Sequence, residues 1–458
     1  MAYEGLMVSV SGVRGRVGEA LTPEIIAKFA SGFGAWARQR AGGGRVKIVV
    51  GRDSRVSGPM FQPVVMSALQ SVGCDVIDVG MAPTPTIQLA VEHHHAAGGL
   101  AITASHNPIE WNALKFIGPS GLFLDGAEAA EMRAVVEGTI PRAAWDELGV
   151  IESDASAIAR HIKQVLSLPF LDVEGIRRRE FHVALDCVRG AGGAFMPELL
   201  RQLGCRVSAI NLETDGRFPR APEPVPENLG ELEELVRTTD AEIGFAVDPD
   251  VDRLALISDE GKAIGEDYTL ALAAKVVLRH REGAIVTNLS TSRIVDDIAR
   301  EQDRSVIRTP VGEVNVATRM RSENAPVGGE GNGGVILTEM HLGRDAPVGA
   351  ALILQLLLEE KRPLSAIVSS YPRYFIVKNK LDRPSAPLDT VYASLREAFA
   401  DADVDTQDGL RLAWADRWVH VRPSGTEPVV RVIAEAPTRE EAEALIAKCR
   451  GPLDALSV

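Results

Sequence analysis

Residues 69–80, LQSVGCDVIDVG, pass from the end of an apolar, helix-length stretch through Gly73 into a β-branched run. Glycine just past the last apolar turn is a helix stop, and the alternation after it is that of a strand. The same arrangement returns at residues 200–210, LRQLGCRVSAI, where Leu200, Gly204, Cys205 and Val207 keep the spacing of Leu69, Gly73, Cys74 and Val76. Two readings stay open: tandem α/β units of related construction, or a chance match in the common sequence of helix, glycine and strand. Working outward, further short β-branched runs punctuate alanine- and leucine-rich stretches: VKIVVG from residue 46, LAITAS from 100, FHVALD from 181, IGFAVD from 243 and AIVTN from 284. Such alternation predicts repeated βα units with mixed or parallel sheets. Near residue 372 the character changes, and the rest reads as a small α+β domain of antiparallel strands and helices. The expected fold class is therefore α/β, with three tandem α/β domains over 1–153, 154–259 and 260–372 and an α+β domain over 373–458.

The chain of 458 residues carries 63 acidic against 49 basic side chains, a formal charge of −14. That excess disfavours extended contact with nucleic acid or anionic membrane, so an anionic ligand needs a local basic site. The opening residues lack a basic segment followed by an apolar run, and VGAALILQLLLEE (348–360) is too short to span a bilayer. A cytoplasmic protein with this stretch as a buried helix is expected. Four widely spaced cysteines suggest neither a disulfide framework nor a zinc site.

Several loops carry chemistry. In TASHNP (103–108), Ser105 is either the polar residue ahead of a helix capped by Asn107, with Pro108 and Glu110 in its first turn, or a group that carries or contacts phosphate at that helix N-terminus. DPDVDR (248–253) sets Asp248, Asp250 and Asp252 at alternate positions beyond an apolar strand, where three hard oxygen ligands suit a divalent metal. Arg253 and Asp259 stand where a calcium loop needs Gly and Glu, so magnesium is the better match. VGGEGNGG (327–334) surrounds Glu330 and Asn332 with glycines, giving a backbone that a polar ligand can approach. VRPSGTEP (421–428) gathers Arg422, Ser424 and Thr426 around Gly425, a donor-rich loop able to grip phosphate or simply to form a hairpin turn. Arg14, Arg16, Arg52 and Arg55 are further candidates, an exposed surface position being the expectation for Arg16 and Arg55. Lys115 can assist proton transfer if it is buried at the site.

Taken together and in this order, TASHNP, DPDVDR, GEGNGG and RPSGTEP resemble the α-D-phosphohexomutases, the family of phosphoglucomutase, phosphomannomutase and phosphoglucosamine mutase. The resemblance spans nearly the whole chain, one motif to each domain. It implies a heart-shaped molecule of three related α/β domains and a fourth mobile domain around a central cleft. It also implies a phosphorylated Ser105, with Mg2+ held by Asp248, Asp250, Asp252 and the phosphate on Ser105. Glu330 and Asn332 would contact sugar hydroxyls. Arg422, Ser424, Gly425 and Thr426 would hold the non-reacting phosphate, and His106, Lys115, Arg14 and Arg253 would surround the transferring group. The implied reaction interconverts hexose 6-phosphate and 1-phosphate through a 1,6-bisphosphate, which also serves as activator. The implied partners are small sugar phosphates, with neither nucleic acid nor membrane, in a monomer or homodimer.

Two departures stand out. Asn332 replaces a frequent Ser, and Gly334 replaces the His that some members carry as a candidate proton carrier, leaving Lys115, His106 or His341 to serve. SGVRG (11–15) and SGTEP (424–428) look more like the phosphoglucosamine branch. The alternatives are a phosphomannomutase or phosphoglucomutase of broad specificity, and, from another class, an inactive sugar-phosphate-binding regulator.

Overall fold

A computed structural model describes residues 5–10, 12–424 and 429–455. Its first sheet contains β1 (Met7–Ser9), β2 (Gly12–Arg16), β3 (Val46–Arg52), β4 (Cys74–Met81), β5 (Gly98–Ile102), β6 (Trp111–Ile117) and β7 (Ile151–Ser153), in the order β1-β2-β6-β5-β3-β4-β7. The second contains β8 (His182–Asp186), β9 (Arg206–Ile210), β10 (Ile243–Val247) and β11 (Leu254–Ile257), ordered β11-β10-β8-β9. The third contains β12 (Ile285–Asn288), β13 (Val306–Thr309), β14 (Val327–Glu330) and β15 (Gly334–Leu337), ordered β13-β12-β14-β15.

These three sheets share one construction. In each, a first strand (β3, β8, β12) lies between parallel second and third strands, and the third turns back into an antiparallel fourth (β6, β11, β15). The repeat of Leu69–Val76 at Leu200–Val207 falls on equivalent places, the end of the helix and the start of the second strand. Gly73 and Gly204 there have φ of +78° and +73°, a left-handed stop that suits glycine. The topology therefore favours tandem related units over chance. In the third sheet Asp303, at φ +54°, takes that place, which is why the glycine signature fades there.

The fourth sheet is fully antiparallel: β16 (Phe375–Asp382), β17 (Asp403–Asp405), β18 (Leu410–Ala413), β19 (Trp418–Pro423) and β20 (Val429–Ala436), ordered β16-β20-β19-β18-β17. Helices Leu388–Ala398 and Arg439–Ala455 accompany it, as the α+β reading expects. The stretch at 348–360 lies within the helix Ala346–Glu360, capped by Asp345 and buried along most of its length. Among the described residues no helix is long and apolar enough to cross a membrane.

The cores are unevenly shared. Residues of the second and third sheets, with helices Asp267–His280 and Ala346–Glu360, form one continuous apolar cluster. The first sheet packs largely within its own region, and the fourth has a cluster to itself. Strands β5, β8, β10, β12 and β14 are buried at every residue, which is why their middles read as small or apolar runs, while the buried polar residues His182, Asp186, Asn288 and Glu330 stand at strand ends.

Candidate active site

The common construction places three of the four motifs at equivalent points, the turn between third and fourth strands. TASHNP lies between β5 and β6, DPDVDR between β10 and β11, and GEGNGG runs from the end of β14 through the turn into β15. Each turn starts at the carboxyl end of a parallel strand, where open α/β sheets present ligand-binding groups.

Ser105 has φ +48°, and its N–H donates to Thr103 Oγ1 at 2.9 Å. No helix follows it. Residues 106–110 turn back into β6, so Asn107 caps no helix there. Pairing of β6 with β2 and β5 outweighs the local helix-start signal. Arg55 organises the loop instead. Contrary to the exposed position expected, it is fully buried, with Nε on Asp53 Oδ2 at 3.1 Å. Its terminal nitrogens donate to the carbonyls of Ser105 (2.6 Å), Asn107 (2.7 Å), Pro108 (2.8 Å) and Trp111 (2.9 Å). Arg16 is exposed as expected, and Arg52 bonds Gln62 and the Asp53 carbonyl.

Across the domain boundary Ser105 Oγ donates to Asp248 Oδ2 at 2.9 Å, and His106 Nδ1 lies 3.3 Å from the same hydroxyl. Asp248, Asp250 and Asp252 are buried, with one carboxylate oxygen from each lying within 4.8 Å of the others. Between them, buried Val251 is held at φ +62°, a costly conformation for a β-branched residue and one that clusters at functional sites. Asp250 Oδ2 accepts from Lys115 Nζ and Thr84 Oγ1, each at 2.7 Å. Asp250 Oδ1 and Asp252 Oδ1 are buried and have no hydrogen-bond partner. Orphaned hard oxygens in a three-carboxylate cluster fit a divalent cation.

Electrostatics follow from this crowding. Burial, with Asp252 and Asp250 nearby, pushes the Asp248 carboxyl well above its ordinary value. Asp250 is lowered: burial acts to raise it, but Lys115 outweighs that. Burial alone would lower Lys115, yet Asp250 and Asp252 raise it and keep it an ammonium, so it stands here as a charge partner rather than a proton acceptor. Burial, then Arg253 and Arg344, hold the His106 imidazole well below its usual range and neutral. Arg14 bonds Asn107 Oδ1 at 3.4 Å and is lowered by burial and by Arg253, which in turn bonds Glu223 at 3.0 Å. Cations thus crowd the space beside Ser105, an environment suited to an anion.

Glu330 ends β14 with both oxygens occupied: Oε1 accepts from Asn288 Nδ2 (2.9 Å) and Gly312 N–H (3.2 Å), Oε2 from Arg344 (2.9 Å) and Asn332 Nδ2 (3.3 Å). Arg344 is the residue that the motifs missed, since it lies outside all of them. His341 does not enter the site. Its Nε2 meets Asp345 Oδ2 at 3.1 Å, in a buried cluster with His161 and Thr86. In the fourth domain Arg422 Nε donates to Asp408 Oδ2 at 2.8 Å, and Ser424 N–H to the Val429 carbonyl at 2.9 Å. Gly425 and Thr426 lie outside the described residues.

Comparison with known proteins adds to this geometry. Models of phosphoglucomutase/phosphomannomutase domains I, II, III and IV match residues 6–141, 159–261, 265–374 and 377–450 in that order. A probable phosphoglucosamine mutase of Methanopyrus kandleri is 39% identical over 447 residues, 96% of each chain. The chain belongs to the phosphoglucomutase/phosphomannomutase family. It is a phosphohexomutase, an isomerase. Another relative, a phosphoglucomutase/phosphomannomutase of Thermococcus kodakarensis, is 40% identical over 449 residues, again 96% of each chain. Among solved structures, a phosphoglucomutase/phosphomannomutase family protein of Burkholderia thailandensis superposes with a TM-score of 0.85 at 27% identity, covering 98% of both chains.

Proposed function

We propose that the protein interconverts glucosamine 6-phosphate and glucosamine 1-phosphate, with Ser105 as phosphoryl carrier. The observation that carries this reading is the Ser105 hydroxyl seated 2.9 Å from Asp248 of the three-aspartate cluster. Phosphoryl transfer needs in-line positioning and neutralised oxygens more than elaborate covalent chemistry. Arg14, Arg253 and Lys115 supply cationic donors around that point, and neutral His106 can take or return the proton of the reacting hydroxyl. Mg2+, held by Asp248, Asp250 and Asp252, supplies further charge neutralisation when bound.

In the forward half, the Oγ–P bond of phosphorylated Ser105 breaks as a sugar hydroxyl oxygen bonds phosphorus and releases its proton. The 1,6-bisphosphate turns over, and the other phosphoryl group returns to Ser105. Added 1,6-bisphosphate would activate enzyme that has lost its phosphate. Arg422 and Ser424, with Gly425 and Thr426, are assigned the grip on whichever phosphate is not reacting, and Glu330 with Asn332 the sugar hydroxyls.

The amino sugar is chosen on the SGVRG and SGTEP motifs, together with the relative named for it. The relative at 40% identity, named for both glucose and mannose phosphates, supports a second reading of broad specificity. Parallel assays of glucosamine, glucose and mannose 6-phosphates, each primed with its own bisphosphate, decide between them. The expected result is the highest kcat/KM on glucosamine 6-phosphate. A tenfold preference for either other sugar, about 1.4 kcal/mol at the transition state, selects the second reading.

A further inference from the structure

Arg344 joins the two loops that the reaction depends on. Its Nη2 bonds Asp252 Oδ2 at 2.6 Å, its Nη1 Glu330 Oε2 at 2.9 Å and its Nε Glu313 Oε2 at 3.0 Å. The side chains of Asp252, Glu313 and Glu330 are 1%, 9% and 6% exposed, so one guanidinium bridges three carboxylates that water barely reaches; Lys115 Nζ at 3.9 Å and Arg253 Nε at 3.8 Å are more distant cations of Asp252. Five N–H donors in a rigid fork make this possible, where an ammonium could not span the three. The route of the side chain depends on Gly334. A Cβ built there would stand 2.3 Å from Arg344 Cδ and 2.9 Å from its Cγ. The missing side chain at 334, which looks in the sequence like a lost proton carrier, is the space that Arg344 occupies.

We propose that Arg344 is a positioning residue that couples metal occupancy to the sugar loop, serving as counter-cation of Asp252 until a metal ion competes for that carboxylate. The proposal rests on the metal assignment made under the proposed function. Its physical basis is competition: Arg344 is the one cation hydrogen-bonded to Asp252 among the described residues, at Oδ2, with Lys115 and Arg253 only at 3.9 and 3.8 Å, while Asp252 Oδ1 and Asp250 Oδ1 have no hydrogen-bond partner. A divalent ion drawn to these oxygens weakens the Arg344–Asp252 pair and leaves the guanidinium with Glu330 and Glu313. Occupancy of the metal loop is thereby felt at the sugar-loop carboxylate, and ligand at the sugar loop is felt at the metal.

The test is Mg2+ titration by calorimetry on the dephosphorylated full-length protein without sugar phosphate, comparing wild type with R344M, R344K and G334A. R344M removes the competitor. G334A keeps the charge but pushes it from its seat, and R344K keeps the charge without the fork. The expected result is tighter Mg2+ binding, by about three- to tenfold, in R344M and G334A, with R344K in between. A merely structural role predicts the reverse, because a disordered site binds metal more weakly. Circular dichroism and melting curves establish that each variant is folded, and should R344M fail to fold, G334A and R344K carry the comparison. Equal or weaker Mg2+ affinity in the folded variants overturns the proposal, as does a wild type that binds no Mg2+. Mutase assays of the wild type run alongside separate the two readings: a wild type that binds Mg2+ and turns over, with Mg2+ affinity no tighter in the folded variants, rejects the role of Arg344 alone, whereas a wild type that binds no Mg2+ rejects the metal assignment as well.

Discussion

Ser105 makes one buried side-chain bond of consequence to the fold, to Asp248, so replacing it removes chemistry and little structure. For Ser105→Ala the expected outcome is loss of turnover by at least about three orders of magnitude, with a stability change near 1 kcal/mol. Intact-mass measurement after incubation with a sugar bisphosphate should add one phosphate to wild type and none to the variant. Normal turnover by the alanine form would remove Ser105 from the mechanism. Arg55→Lys gives the complementary result. One ammonium cannot reach Asp53 and four carbonyls together, so we expect destabilisation of about 3 kcal/mol, in the range for breaking buried ion pairs, and a fall in kcat larger than any rise in KM. Steady-state kinetics with a urea titration check both. The cluster of three aspartates was legible in the sequence because Asp248, Asp250 and Asp252 stand at alternate positions of one loop, whereas the approach of Ser105 to Asp248, from 143 residues away, was suggested only by the set of motifs taken together. Arg55 and Arg344 were not legible, because what defines them lies elsewhere: carbonyls fifty residues on for the first, carboxylates on three other segments for the second.

At the scale of elements, the strands were readable because a strand buried on both faces is apolar or small through its middle, polar residues entering only towards its ends. The segment after Ser105 was not, since Asn, Pro and Glu suit a turn as well as a helix start, and only pairing with β2 and β5 decides. The contact between β19 and the third domain illustrates another feature hidden from sequence. His420, with no exposed surface, lies between Ser290 Oγ (2.8 Å from Nδ1) and the Asp408 carbonyl (2.6 Å from Nε2). Burial pushes its imidazole down to about 4, from 6.5. The folded protein keeps this ring neutral while an unfolded chain takes up a proton near 6.5, so its contribution is complete above that pH. It is lost as pH falls from 6.5 towards 4, by up to about 3 kcal/mol. Urea midpoints of wild type and His420→Asn at pH 7 and pH 4.5 test this: the wild type should lose more stability on acidification than the variant. Equal losses would place the acid sensitivity elsewhere.

In the whole molecule, four tandem sheets were legible from the rhythm of short strands and long helices, and their shared construction was hinted at by one repeated spacing. The sharing of a core was not legible, because apolar helices such as Ala346–Glu360 look alike whether they cover one sheet or two. Since the second and third sheets depend on one continuous apolar cluster and the fourth on its own, hydrogen exchange should protect β8, β10, β12 and β14 to a common level. Strands β18 to β20 should open separately. Exchange of β8 and β10 well ahead of β12 and β14 would show that the core divides.

That same long helix bears on how the protein is made. A nascent chain that has reached residue 261 already holds β8 to β11, yet Ile162, Val165 and Ile176 await the helix Ala346–Glu360 in the cluster they share. At roughly 5–20 residues per second, the ribosome needs about 5–20 s to supply it. Through that interval a greasy surface stands open to neighbouring polysomes, and the middle of this polypeptide, rather than either end, is where a chaperone would be called upon.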